Sequence, residues 1–157
     1  MKTVILSVIL AFIMLNVNGQ VNKDPKNSKI PFKVPDIVQN TFTSKFPKAS
    51  KVKWGFEKKG NYEADFSMNE HDVTAIINKK GILLETDTEL KESELPQSIK
   101  TKLSNEFKGY KVDEVNKIEA KAITTYKMQA KNDKLEFDLV FDKNGKILKK
   151  DKFVIDD

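Results

Sequence analysis

The stretch from Tyr62 to Gly81, YEADFSMNEHDVTAIINKKG, decides the fold. Tyr62, Ala64, Phe66 and Met68 fall at every second position, and so do Val73, Ala75 and Ile77. Successive strand side chains point to opposite faces, so each set lines one face of a half-buried strand. Met68-Asn69-Glu70 and Lys79-Lys80-Gly81 supply the turn residues that hairpins need. The same layout returns further on, with Tyr126, Met128 and Ala130, then Leu135, Phe137, Leu139 and Phe141. Lys131-Asn132-Asp133 and Lys143-Asn144-Gly145 punctuate it, and the spacing from Tyr126 to Gly145 equals that from Tyr62 to Gly81. A pattern repeated at fixed spacing is the mark of a duplicated unit.

Working outward, Val52, Trp54 and Phe56 predict one more strand before the first hairpin, closed by Lys59-Gly60-Asn61. Ahead of each set of strands lies a helix pattern. Val38, Phe42 and Phe46 recur every four residues after Pro35, and Ile99, Leu103 and Phe107 do so after Pro96. Proline is tolerated in the first helical turn, where its missing N–H would have no partner. Pro47 and Gly109 mark the stops. One narrow apolar stripe per helix argues for packing on a sheet. The expected fold is therefore α+β, built as two tandem units, each a helix packed on an antiparallel meander of about four strands. Residues 34–92 form the first unit and 93–157 the second.

The N-terminus carries Lys2, then the apolar run Val4 to Leu15 broken only by Ser7, then polar residues to Gln20. That run is shorter than the roughly 20 apolar residues a membrane span requires and reads as a secretory signal, residues 1–19, cleaved after Gly19. Residues 20–33 are rich in Lys, Asn and Pro and read as a flexible leader. The protein is expected to be periplasmic or secreted, with no membrane anchor after cleavage. The chain has no cysteine, which excludes disulfides, thiol nucleophiles and thiolate metal sites together.

The net charge is +5, and every basic residue is a lysine. Arginine's planar fork reads phosphates and base edges, whereas lysine acts as a hydrated point charge. The lysines are interspersed with acids, so the composition argues for a solvated surface and against nucleic-acid recognition.

With the repeat established, Phe46-Pro47-Lys48-Ala49 leading to Val52 and Trp54, then Tyr62-Glu63-Ala64 with Phe66, then Gly81 and Leu95-Pro96, resembles the β-lactamase-inhibitor-like, PepSY-like family of exported bacterial proteins. The resemblance covers nearly all of Val34 to Phe153. It implies tandem helix-and-sheet repeats, an exported location and no catalytic residues. The second copy departs from the motif, with Phe107-Lys108-Gly109-Tyr110 and no tryptophan. A fold-level likeness transfers no target, and β-lactamase inhibition does not follow from it.

Catalytic chemistry finds few groups here. The one histidine, His71, is expected in the turn Asn69-Glu70-His71-Asp72 as a solvated tip, and a general base must be held rigidly. Glu70, His71 and Asp72 alternate in direction and do not converge on a metal. Glu63 with Asp65 and Glu136 with Asp138 share strand faces but lie among lysines, where ion pairing explains them. Trp54, Phe56, Tyr62 and Phe66 are read as core at period two. No phosphate loop, nucleophile elbow or dinucleotide fingerprint is present. No cofactor is expected, and the chain reads as a binding module rather than an enzyme.

If the apolar strand faces cover the helices, the opposite faces carry the polar residues. Lys53, Glu63, Asp65, Asp72, Lys127, Glu136 and Asp138 are the expected partner-binding residues, and the expected partner is a protein or peptide in the cell envelope or outside. The alternative reading is a small-ligand or peptide carrier using a cleft between the two units.

Overall fold

A computed structural model describes residues 33–57 and 59–155. The expected signal and nearly all of the leader lie outside the described residues. The chain order is α1 (Asp36–Lys45), β1 (Ser50–Phe56), β2 (Tyr62–Met68), β3 (His71–Ile77), β4 (Leu83–Glu89), a 3-10 turn (Glu92–Glu94), α2 (Gln97–Glu106), β5 (Lys111–Ala120), β6 (Ile123–Lys131), β7 (Leu135–Asp142) and β8 (Ile147–Val154).

Each helix begins directly after its proline. The amides of Val38 and Gln39 donate to the Pro35 carbonyl, and those of Ile99 and Lys100 to the Pro96 carbonyl. The four-residue spacing then aims one stripe inward. Val38 and Phe42 are buried on α1, Ile99 and Leu103 on α2, and Phe46 and Phe107 extend the stripes past the helix ends.

Two apolar clusters form beneath the helices. Under α1, Val34, Val38, Phe42 and Phe46 meet Ala64, Phe66, Val73, Ala75 and Ile77. Phe42 sits edge-on to Phe66 at 5.0 Å and to Trp54 at 5.1 Å between ring centroids, a favourable aromatic geometry. Under α2, Leu95, Ile99, Leu103 and Phe107 meet Val115, Met128, Ala130, Phe137, Leu139 and Phe141. Lys150 lies over the Phe107 and Phe137 rings, a cation–π contact that covers this cluster at its edge.

The expectation of two units, each with its own four-strand meander, is overturned. All the strands form one eight-stranded antiparallel sheet in the order β1 to β8. The joint is a ladder between β4 and β5, in which Glu85, Thr86, Asp87, Thr88 and Glu89 pair with Ala120, Glu119, Ile118, Lys117 and Asn116. Two separate meanders would leave two more edges of unpaired N–H and C=O groups, and pairing β4 with β5 satisfies them. Continuous register also fixes the side of each helix. Val73 lies across from Thr88, Thr88 from Lys117, Lys117 from Tyr126 and Tyr126 from Phe141, so both clusters occupy the same face.

Phe56 was expected in the core but is 60% exposed, because it stands at the end of β1 outside the cluster under α1, its ring tilted against that of Tyr62 at 5.1 Å between centroids. His71 was expected in a turn but opens β3, because the turn is the two-residue Asn69-Glu70, both at positive φ. Its ring is not a solvated tip. Nδ1 lies 2.9 Å from the Glu89 carbonyl and Nε2 3.2 Å from Glu94 Oε1, which ties β3 to the segment leading into α2.

Candidate partner-binding face

The sheet carries both helices on one side, so alternation sends every second residue of each strand to the other side. Register places all seven expected residues there. Lys53 stands directly across from Asp65. Glu63 and Asp65 continue into Ile76 and Thr74 on β3, and these into Glu85 and Asp87 on β4. Asp72 is across from Ser67. In the other half Lys127 lies between Asn116 and Val140, Asp138 between Gln129 and Asp151, and Glu136 between Lys131 and Phe153. The first four residues thus share one half of the face and the last three the other, with β4 and β5 between the groups.

Those two middle strands hold what the alternation of apolar residues did not reveal. Glu85, Asp87 and Glu89 on β4, with Ile118 and Asn116 on β5, form the centre of the face. Ile118 is only 6% exposed although it belongs to neither helix-side cluster. Its burial on the side without helices means that neighbouring side chains wall it in. Asp87 lies directly across from it.

Asp87 is the electrostatic focus. Burial pushes its carboxyl up to about 6 from an ordinary 3.8, with Glu85 and Glu89 adding to the rise and Lys127 opposing it. Its Oδ1 is buried and accepts no hydrogen bond among the described residues. Burial also raises Glu63, helped by the charges of Asp65 and Glu57.

The two halves treat their acids differently. In the second half Asp113 takes the Lys111 ammonium at 2.8 Å and that of Lys131 at 3.2 Å, which holds its carboxyl below the usual range. Asp151 takes Lys149 at 2.5 Å, and Asp138 accepts from Gln129. In the first half the partners are hydroxyls, Thr74 to Asp65 at 2.8 Å and Ser67 to Asp72 at 3.1 Å. Among the described residues no ammonium lies within 4.0 Å of Glu63, Asp65, Asp72, Glu85, Asp87 or Glu89. The expected ion pairing of Glu63 and Asp65 is therefore not what the face shows.

A depression of about 840 Å³ lies elsewhere, between α1 and the β3–β4 turn, lined by Ile37, Thr41, Gly81 and Ile82 among others. It does not lie between the two halves, where the carrier reading needs its cleft. Among the described residues no group of three His, Asp or Glu side chains could hold a metal ion, and no helix is long and apolar enough to cross a membrane.

Comparison with known proteins fits this architecture. The chain resembles a BLIP-like protein of Bacteroides fragilis, with TM-score 0.69, 23% identity and coverage of 81% of this chain and 92% of that one. A DUF2874 family protein of Bacteroides ovatus aligns with TM-score 0.70 and 25% identity over 77% and 89% of the two chains. A "putative periplasmic" protein of Bacteroides eggerthii gives 0.69 and 21% over 77% and 90%. No curated protein matches the sequence. A family model described as "Putative beta-lactamase-inhibitor-like, PepSY-like" matches twice, over residues 21–85 and 60–149. Together those matches span most of the sequence, and the chain belongs to the β-lactamase-inhibitor-like, PepSY-like family.

Proposed function

We propose that this chain is an exported, non-catalytic binding module that holds a protein partner, in the periplasm or outside the cell, on the helix-free face of its sheet. One observation carries the reading: an eight-stranded sheet has both helices on one side and leaves the other as a continuous, charged face. Such a face is open and polar, with half-buried Ile76 and Val140 among its charged groups, a mix of polar and apolar surface that protein interfaces share. The family membership and the inhibitor-like fold of the relatives support binding over catalysis. The sequence supports export through Lys2 and the apolar run Val4 to Leu15.

The test is affinity capture from cell-envelope extract with the full chain and with a variant in which Lys53, Glu63, Asp65, Asp72, Lys127, Glu136 and Asp138 become serine. These residues are surface-directed, so the variant should keep the native circular dichroism. Loss of the captured protein is expected. A folded variant that retains the same protein would move the site off this face.

A further inference from the structure

We propose that the partner presents a cationic segment, carrying lysine or arginine, to the first half of this face, and that one such side chain seats on Asp87. The inference rests on the reading of the helix-free face as a protein-binding surface and names the chemistry of its partner.

Charge complementarity argues for it. Across β2, β3 and β4 the face carries Glu63, Asp65, Asp72, Glu85, Asp87 and Glu89, interrupted only by Ser67, Thr74 and Ile76. No lysine of these three strands points to this side, and no described ammonium pairs with the acids. The second half has the same kinds of residues and neutralises Asp113 and Asp151 from within. Lys53 on β1, across from Asp65, is the one lysine in register with these acids in this half, and it makes no ion pair with them within 4.0 Å among the described residues, so six carboxylates face outward against a single cation.

The junction adds a second, independent feature. Ile118 is 6% exposed, Ile76 stands half-buried on the same face, and Asp87 Oδ1 is buried across from Ile118 with no hydrogen-bond donor among the described residues. Lysine and arginine side chains bury an aliphatic stem and keep a charged head, which fits half-buried Ile76 among the carboxylates of this face. Without a donor, a buried acceptor is costly, and a cationic donor offsets that cost most fully. Thr74, directly across from Asp87, donates to Asp65 instead, and Asp87 Oδ1 is left without a donor among the described residues.

The experiment titrates the full chain with an arginine–glycine peptide and, separately, with a glutamate–glycine peptide of equal length, read by calorimetry and by backbone amide shifts. The arginine peptide should bind and shift amides of β2 to β4, and E85Q/D87N should weaken it by about tenfold or more. A helix-side variant with the same charge change, D36N/E106Q, should leave binding within about twofold. Equal weakening by both variants, or no binding, overturns the inference. So does displacement of the peptide by calcium alone with the same amide shifts, which would make the face a cation binder, or self-association on sizing, which would make the occupant a second copy. The two readings fail separately. If the captured partner is lost from the serine variant but kept by E85Q/D87N, the face binds a protein and the cationic segment is wrong.

Discussion

Asp87 is a side chain whose surroundings penalise its charge, and the penalty has a definite sign. Its carboxyl titrates at about 6 in the folded chain against an ordinary 3.8. Between those values the native state binds more protons than the unfolded one, so its contribution is fully present below about pH 4 and is lost as pH rises through 6. A shift of this size corresponds to roughly 3 kcal/mol, and partial solvent contact reduces it to about 1–2 kcal/mol. Asp87→Asn keeps the shape and cannot ionise. The variant should therefore be more stable than the parent by about 1–2 kcal/mol at pH 7.5 and equal to it near pH 4, read from urea unfolding at both values. Equal midpoints at both pH values would show that Asp87 is solvated. Nothing around Glu85-Thr86-Asp87-Thr88-Glu89 signals this in one dimension, because Ile118 reaches Asp87 only through the β4–β5 ladder. His71 is similar, since Glu89 and Glu94 are distant in sequence and arrive by folding.

At the scale of elements, each helix start is seated on a hairpin turn, and glycine makes the fit possible. A Cβ on Gly145 would lie 2.8 Å from the Ser98 carbonyl oxygen, and one on Gly81 2.9 Å from that of Ile37, both at positive φ. Thr41 donates to the Gly81 carbonyl at 2.7 Å, and Ser98 to that of Lys143 at 3.2 Å. Gly60 shares the positive φ, but among the described residues a Cβ there would meet nothing within 4 Å. Gly60→Ala should thus lose about 1 kcal/mol from backbone strain alone. Gly145→Ala and Gly81→Ala should lose about 3 kcal/mol, because a rigid helix end must also move. Urea midpoints of the three variants check the order, and a Gly60→Ala loss as large as the others would refute it. These elements were legible where apolar residues alternate, as in β2, β3, β6 and β7. β4 was not, because Thr86 and Thr88 stand on its helix side and acids on the other. Threonine alternating with acid is itself a period-two pattern, visible to β propensity but not to hydrophobicity. β5 was missed because its bulge between Asp113 and Asn116 shifts the alternation within the strand.

At the scale of the molecule, the question is whether two cores under one sheet behave as one. The clusters under α1 and α2 share no residue. Their mechanical link is the β4–β5 ladder, whose rupture would bare two central edges and expose Ile118 and its neighbours to water. That cost falls on any state with one half unfolded, so the halves should unfold together. Trp54, the chain's only tryptophan, reports on the first half through its contact with Phe42. Leu139, 1% exposed in the second cluster, is remote from it. Leu139→Ala removes buried methyl groups and should cost about 2–5 kcal/mol. If the sheet couples the cores, the midpoint of Trp54 fluorescence in urea falls with that of far-ultraviolet circular dichroism, and by the same amount. If the ladder is weaker than the cores, Trp54 keeps the parent midpoint while circular dichroism splits into two transitions. That outcome would turn the helix-free face from one rigid platform into two hinged halves, with Asp87 and Ile118 at the hinge.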